Sequence, residues 1–586
     1  MLRKTTILAA FTLSALFAQA ARAADANAPA SAWIADDAIV VLEMSQPKAL
    51  MDGILTDKVI ETVTAHPAYK QQVAKPEFQH VRNLVQYFEQ KFDTDWKTIL
   101  GKLVGGGITL AISPNEATVL IVEAEDAKML EEVHDFILLM AKTDAQNKGQ
   151  PDKVASVKYR DVTAWRLGPN ESHTIVGNRL LLSNKPEALV ATLDLRANPN
   201  GASLAKLPTY QAAKEGMGSG SAASIFVKTG VLKQLPDIQQ ALSQNNSNPM
   251  VSLLFAPLIT AVQESTWAAV GVGLEGETLT LDIVTDGTIS DPSTPEGFAS
   301  PGEAAGGALP SVVVPRKIAG MSFYRDLHKF YGAKDELFPE RTSGLIFFEN
   351  MMGIFFTGRD LTDEVLAETT PEVRMVVAEQ KYDPEIGTPA VKIPAFAAIF
   401  RLKDPTKFQP IAEEAWQKGL GLINFTRGQA AEPGLIIDRE IHSGVKYTIA
   451  AFSAAAEEDK TALDMRFNFQ PTLAMPEDYM VISSTNELAK DLIDALQKEK
   501  ADTIKPLPGV HSLVELDATQ LASILESNWD ALVRNNMVEE GNTREEAEAD
   551  MGGIMMILKY VGNFKLMSGV SKGQSRTRLQ VDLNLP

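Results

Sequence analysis

A proline- and glycine-rich stretch at 287–315 (GTISDPSTPEGFASPGEAAGGALPSVVVP) separates two runs of segments that recur in the same order. This repetition constrains the fold more than any other feature of the chain. Each side opens with a strand and a helix, at 39–44 and 47–55, then again at 320–323 and 327–337. A strand leading into a capped helix follows. On the left it is TVLIVE, with Asp126 before AKMLEEVHDFILLM; on the right it is FAAIFRL, with Asp404 and Pro405 before TKFQPIAEEAW. Next come a strand pair and a strand that ends in serine before a helix, HTIVGNRLLLSNKPEALVATL against EDYMVISSTNELAKDLIDAL. SIFVKTGVLKQL then answers SLVELDATQLASIL, and each side closes with a helix and a hairpin.

The strands are read from alternation. Residues 278–286 place Leu279, Leu281 and Ile283 on one side and Thr278, Thr280 and Asp282 on the other. A period of two describes a sheet with one buried and one wet face, which is usually antiparallel. Leu130, Val133, Ile137 and Met140 form a helical stripe that must cover something apolar. Asp126, Asn184, Asp404 and Asp517 stand where a side-chain oxygen can accept from free N–H groups at a helix start. The expected fold class is therefore α+β: two related lobes from an internal duplication, each an antiparallel sheet with helices packed on one face. The expected domains are a signal peptide at 1–23, a first lobe at 24–286, a linker at 287–315 and a second lobe at 316–586.

The start of the chain reads as an address. Arg3 and Lys4 precede the apolar run ILAAFTLSALFA, and Ala21-Arg22-Ala23 is a small-x-small cleavage site. The expectation is an exported protein, periplasmic or secreted, with no transmembrane segment in the mature chain, since no later apolar run reaches spanning length. The chain has no cysteine, which excludes disulfides, thiolate metal sites and cysteine nucleophiles. Its net charge of −20 argues against a nucleic-acid partner, whose phosphates need a basic footprint.

Motifs for chemistry are tested one by one. None of the 7 histidines is spaced for a metal, and no cofactor or metal is expected. His134, beside the apolar stripe of its helix, reads as a boundary residue with its tip in water. Gly105-Gly106-Gly107 opens a strand, and the glycines at 216, 218 and 220 follow a helix, so neither matches a phosphate or dinucleotide loop. Ser183-Asn184 and Ser483-Ser484 occupy the same place in both halves, which favours a capping role over catalysis. Phe347, Phe348, Met351, Met352, Phe355 and Phe356 form the most unusual patch, joined by a second at Met555 and Met556. Methionine-rich apolar surface adapts to varied ligands, so these six are the candidate contacts for an apolar ligand. The competing reading of the same residues is a buried strand pair turning at Glu349-Asn350.

On the signal peptide, the early unit IVVLEMSQPKALM and the repeated unit LLLSNKPEALVATL, the chain resembles a family of large exported bacterial proteins without assigned function. The resemblance implies a class and carries no catalytic residues. The reading that results is an exported, non-enzymatic binding or scaffolding protein whose partner is another protein or an apolar small molecule. A carrier or chaperone for an apolar ligand is the second reading, and a hydrolase whose residues meet only in space is the third.

Overall fold

The computed structural model describes residues 28–584, apart from 55, 66–75, 151–152, 169, 219, 235–260, 289–305, 338–341 and 453–459. The expected signal peptide at 1–23 and most of the apolar run at 250–262 lie outside the described residues. The chain forms two compact units. The first runs to residue 238 and includes 266–276 and 282–284; the second contains the rest. Among the described residues no helix is long and apolar enough to cross a membrane.

The strands of the first unit are β1 (Val40–Met44), β2 (Gly107–Ile112), β3 (Thr118–Glu123), β4 (Ala155–Tyr159), β5 (Val162–Gly168), β6 (Glu171–Val176), β7 (Arg179–Ser183), β8 (Ser221–Val227) and β9 (Ala268–Glu275); the chain then turns at Gly276 into β10 (Thr278–Thr285), whose residues are divided between the two units. Their order in the sheet is β4-β5-β6-β7-β3-β2-β1-β8-β9, antiparallel throughout. Its longer helices are α1 (Pro76–Phe92), α2 (Trp96–Val104), α3 (Ala127–Asn147), α4 (Pro186–Ala197) and α5 (Pro208–Met217).

The strands of the second unit are β11 (Lys317–Tyr324), β12 (Thr369–Ala378), β13 (Ala395–Leu402), β14 (Leu435–His442), β15 (Val445–Phe452), β16 (Thr472–Ala474), β17 (Tyr479–Ser483), β18 (Ser512–Asp517), β19 (Val561–Ser571) and β20 (Gln574–Leu583). Their order is β14-β15-β16-β17-β13-β12-β11-β18-β19-β20, again antiparallel. Strand for strand, this repeats the order of the first unit. The longer helices are α6 (Thr342–Phe355), α7 (Pro405–Gln429), α8 (Asn486–Asp502), α9 (Ala518–Ser527) and α10 (Arg544–Tyr560).

The architecture is α+β, as expected. The helices extend the expectation by occupying both faces of each sheet. In the first unit Leu181 of β7 packs with Leu189 and Leu193 of α4, while the neighbouring register position turns His173 toward α3. In the second, Val481 of β17 packs with Leu488, Leu492, Ile493 and Leu496 of α8, whereas Met480 packs on the other face with Phe408 and Ala412 of α7. Each buried aliphatic side chain contributes about 1.5–3 kcal/mol to such a core.

The stretch at 306–314 takes no regular structure, yet Ala308, Leu309, Val312 and Val314 are buried, and Val312 and Val314 sit in the α8 core. Its prolines keep it out of the ladder without keeping it out of the interior. Caps at Asp126, Asp404 and Asp517 accept from Met129, Lys407 and Gln520 N–H as expected. Asn184 does not cap: its side chain accepts from Thr118 N–H and donates to Glu116 carbonyl, tying the start of β3 to the end of β7.

Candidate functional site

The Phe/Met segment is one helix, α6, and the strand-pair reading of it is corrected. The sequence misleads because both sides of the helix are apolar, so no polar stripe marks the period of 3.6. Leu345, Met352 and Phe356 face inward against the cluster of Tyr331, Leu361 and Val365. Phe348 meets Tyr331 edge-on, with ring centroids 6.2 Å apart. Glu349 marks no turn; it pairs with Lys334 at 3.0 Å. The opposite side is bare: Ile346, Phe347 and Ile354 are 51%, 70% and 67% exposed. The six candidate residues are therefore divided around the helix. Phe347 is outward, Met352 and Phe356 are in the core, and Phe348, Met351 and Phe355 stand between.

Two more helices of the second unit share this feature. The last third of α7 exposes Leu422, Ile423 and Phe425, and α10 exposes Ile554, Met556 and Ile557. Apolar surface on this scale marks an interaction site more often than a neutral exterior. Between α9 and α10 lies a groove of about 530 Å³ containing both Met555 and Met556. In the first unit α3 buries Leu130 but leaves Ile137, Leu139 and Met140 exposed, so only part of its predicted stripe is covered.

A polar cavity of about 270 Å³ lies at the start of α8, where Arg316, Lys381, Glu487 and Asp491 converge. Arg316 pairs with Glu487 at 3.0 Å. Burial and the neighbouring Glu487 push the Asp491 carboxyl up. In the first unit a cavity of about 380 Å³ occupies the corresponding position at the start of α4, floored by Ala111, Val119, Ala188 and Ala191.

Each of the paired serines builds a turn. Ser183 Oγ donates to Lys185 carbonyl and accepts from Lys185 N–H, and Ser483 makes the same two bonds with Thr485. Farther along each helix an aspartate holds a hairpin tip. Asp194 accepts from Tyr159 and Arg160, and Asp494 from Ser443 at 2.6 Å, with His442 Nε2 at 2.9 Å. Sequence order points to the equivalence of the serines, and the side-chain bonds add that of the aspartates.

His134 is corrected too. Its Nε2 is buried without a partner, and its ring lies 5.2 Å from that of His173. Burial, with the facing His134, drives His173 down to about 4. His511 is likewise buried, and falls to about 4 through burial and the adjacent Arg325. Both rings are neutral at pH 7 and enclosed, so neither reaches a cavity as a base.

No known protein family matches the chain, and no curated protein matches it. Among solved structures it is similar to TP0453 in three crystal forms, III, I and IV, at 10%, 10% and 11% identity. These cover 47%, 44% and 44% of this chain and 85%, 79% and 81% of theirs, with TM-scores of 0.24, 0.23 and 0.24. At such scores the likeness carries no argument about what this chain does.

Proposed function

We propose that the chain is an exported binding protein, built by duplication of one α+β unit, that engages a protein partner through the bare apolar side of α6. The observation that carries the reading is Phe347, held outward at 70% exposure between Ile346 and Ile354 on a helix whose other side is already packed. A helix apolar on all sides is stable in water only at a cost, and a partner removes that cost. The matching strand orders and the paired Ser183/Ser483 and Asp194/Asp494 bonds support the duplication. The signal-like start of the sequence supports export, with lobes at 24–286 and 316–586.

A photo-crosslinking residue in place of Phe347, expressed in the native host, tests the reading. Discrete adducts are expected from this position and none from the exposed position at Glu545. If Phe347 yields no adduct, the reading fails. The α9–α10 groove favours a second role, as a carrier of an apolar small molecule.

A further inference from the structure

We infer that the groove between α9 and α10 binds a single-chain fatty carboxylate. The inference rests on the carrier role just named and uses a surface separate from the exposed side of α6. The groove, about 530 Å³, falls within the size range of small-molecule clefts. Ala522 of α9 forms part of one wall, and Gly552, Met555, Met556 and Leu558 of α10 supply most of the rest. Unbranched thioether side chains adjust to a flexible chain better than branched ones do. Lys559 is the single charged residue of the lining, in a chain whose net charge is −20. That charge selects an anionic head over a neutral or cationic one.

Gly552 lies in the lining of the groove, and like the neighbouring Gly553 it has open space where a Cβ would stand. Glycine inside a helix weakens it relative to alanine, so it needs a reason. Packing supplies none, because a Cβ at Gly552 would meet nothing within 4 Å. The space it leaves open is the groove itself, where a missing side chain lets a ligand approach the helix backbone.

Calorimetric titration of the full chain with palmitate, and with shorter fatty acids down to ten carbons, tests the proposal. Saturable one-to-one binding is expected, tightening about fourfold per added methylene until the groove is filled. Gly552→Leu places an apolar side chain in the groove from a Cβ position that meets nothing within 4 Å, so it should keep or raise the melting temperature while weakening palmitate at least tenfold. Lys559→Gln should weaken palmitate about fivefold and leave hexadecanol unchanged. No saturable binding by the unaltered chain overturns the proposal, as does palmitate binding that Gly552→Leu leaves intact. Adducts at Phe347 without palmitate binding reject the groove alone, whereas palmitate binding without adducts rejects the α6 reading alone.

Discussion

The two units follow one strand order but differ in what they do with it. Where the chain must turn from the central strand into its helix, both use a serine that bonds the backbone two residues on, at Ser183 and at Ser483. Both then fasten a hairpin tip to an aspartate on the helix, Asp194 or Asp494. Beside that shared corner the linings differ: Asp37, Lys185 and Glu187 stand among alanines and Val119 in the first unit, and Arg316, Lys381, Glu487 and Asp491 converge in the second. The outer helices of both units carry large exposed apolar side chains: among the described residues Leu84, Tyr87, Trp96, Leu100, Ile137, Leu139 and Met140 on α1, α2 and α3 in the first unit, and others on α6, α7 and α10 in the second, where Phe347 and Ile354 reach 70% and 67%. Residues that fix backbone geometry are held in common, and residues that face solvent are where the units part.

The comparison can be broken first at the buried ion pairs. Arg374, 1% exposed, bonds Glu499 at 2.7 Å and lies over the Tyr479 ring. Glu499→Ala leaves that guanidinium buried and uncompensated, and should cost the second unit about 3–5 kcal/mol. In the first unit Arg179 also donates to Ala28 carbonyl and lies over Trp33, and its partner Glu123 is better solvated. Glu123→Ala should therefore cost only about 1–2 kcal/mol. Urea unfolding of the two variants gives the contrast, and equal losses would show that the pairs are equivalent.

Acid should act on both units alike. His173 and His511 sit at about 4 when folded, below the ordinary histidine range, because burial disfavours their charged forms. On acidification the unfolded chain takes up the protons first. The contribution of each histidine is thus whole above about pH 6.5 and is lost as the pH falls from there toward 4. Each should lose on the order of 2 kcal/mol between pH 7 and pH 5. His173→Phe should remove the first unit's share and leave the second's. Stability that stays flat over this range would contradict the burial of both rings.

Much of this fold was legible because it depends on local rules. Asp126, Asp404 and Asp517 read as caps and act as caps, and the closing hairpins turn at Gly276 and Gly573, which take positive φ. Thr543 forms a capping box with Glu546, a pairing of residues three apart that is likewise local. The failures share a cause: burial by distant segments leaves no local mark. Asn184 sits at a helix start but bonds a strand 66 residues away. His134 lies on a helix boundary, yet the facing His173 encloses it. In α6 two apolar sides erased the helical period, and the candidate ligand contacts were scattered by a geometry the sequence could not express. The serine turns were visible as a coincidence of order, while the aspartate clamps at 194 and 494 passed unnoticed among 75 acidic residues.

The central claim, that apolar helix surface in the second unit is covered in the native setting, is tested most directly by hydroxyl-radical footprinting. Side-chain oxidation would be compared between the purified chain and the chain in its native exported fraction. In the purified chain Phe347, Phe425 and Ile557 should all react fast, as their exposure of 70%, 63% and 62% requires. In the native fraction Phe347 should slow at least fivefold, while Val157 of the first unit, 60% exposed on the edge strand β4, should keep its rate. If Phe347 and Val157 oxidise at unchanged rates in both settings, α6 has no partner and the account is wrong.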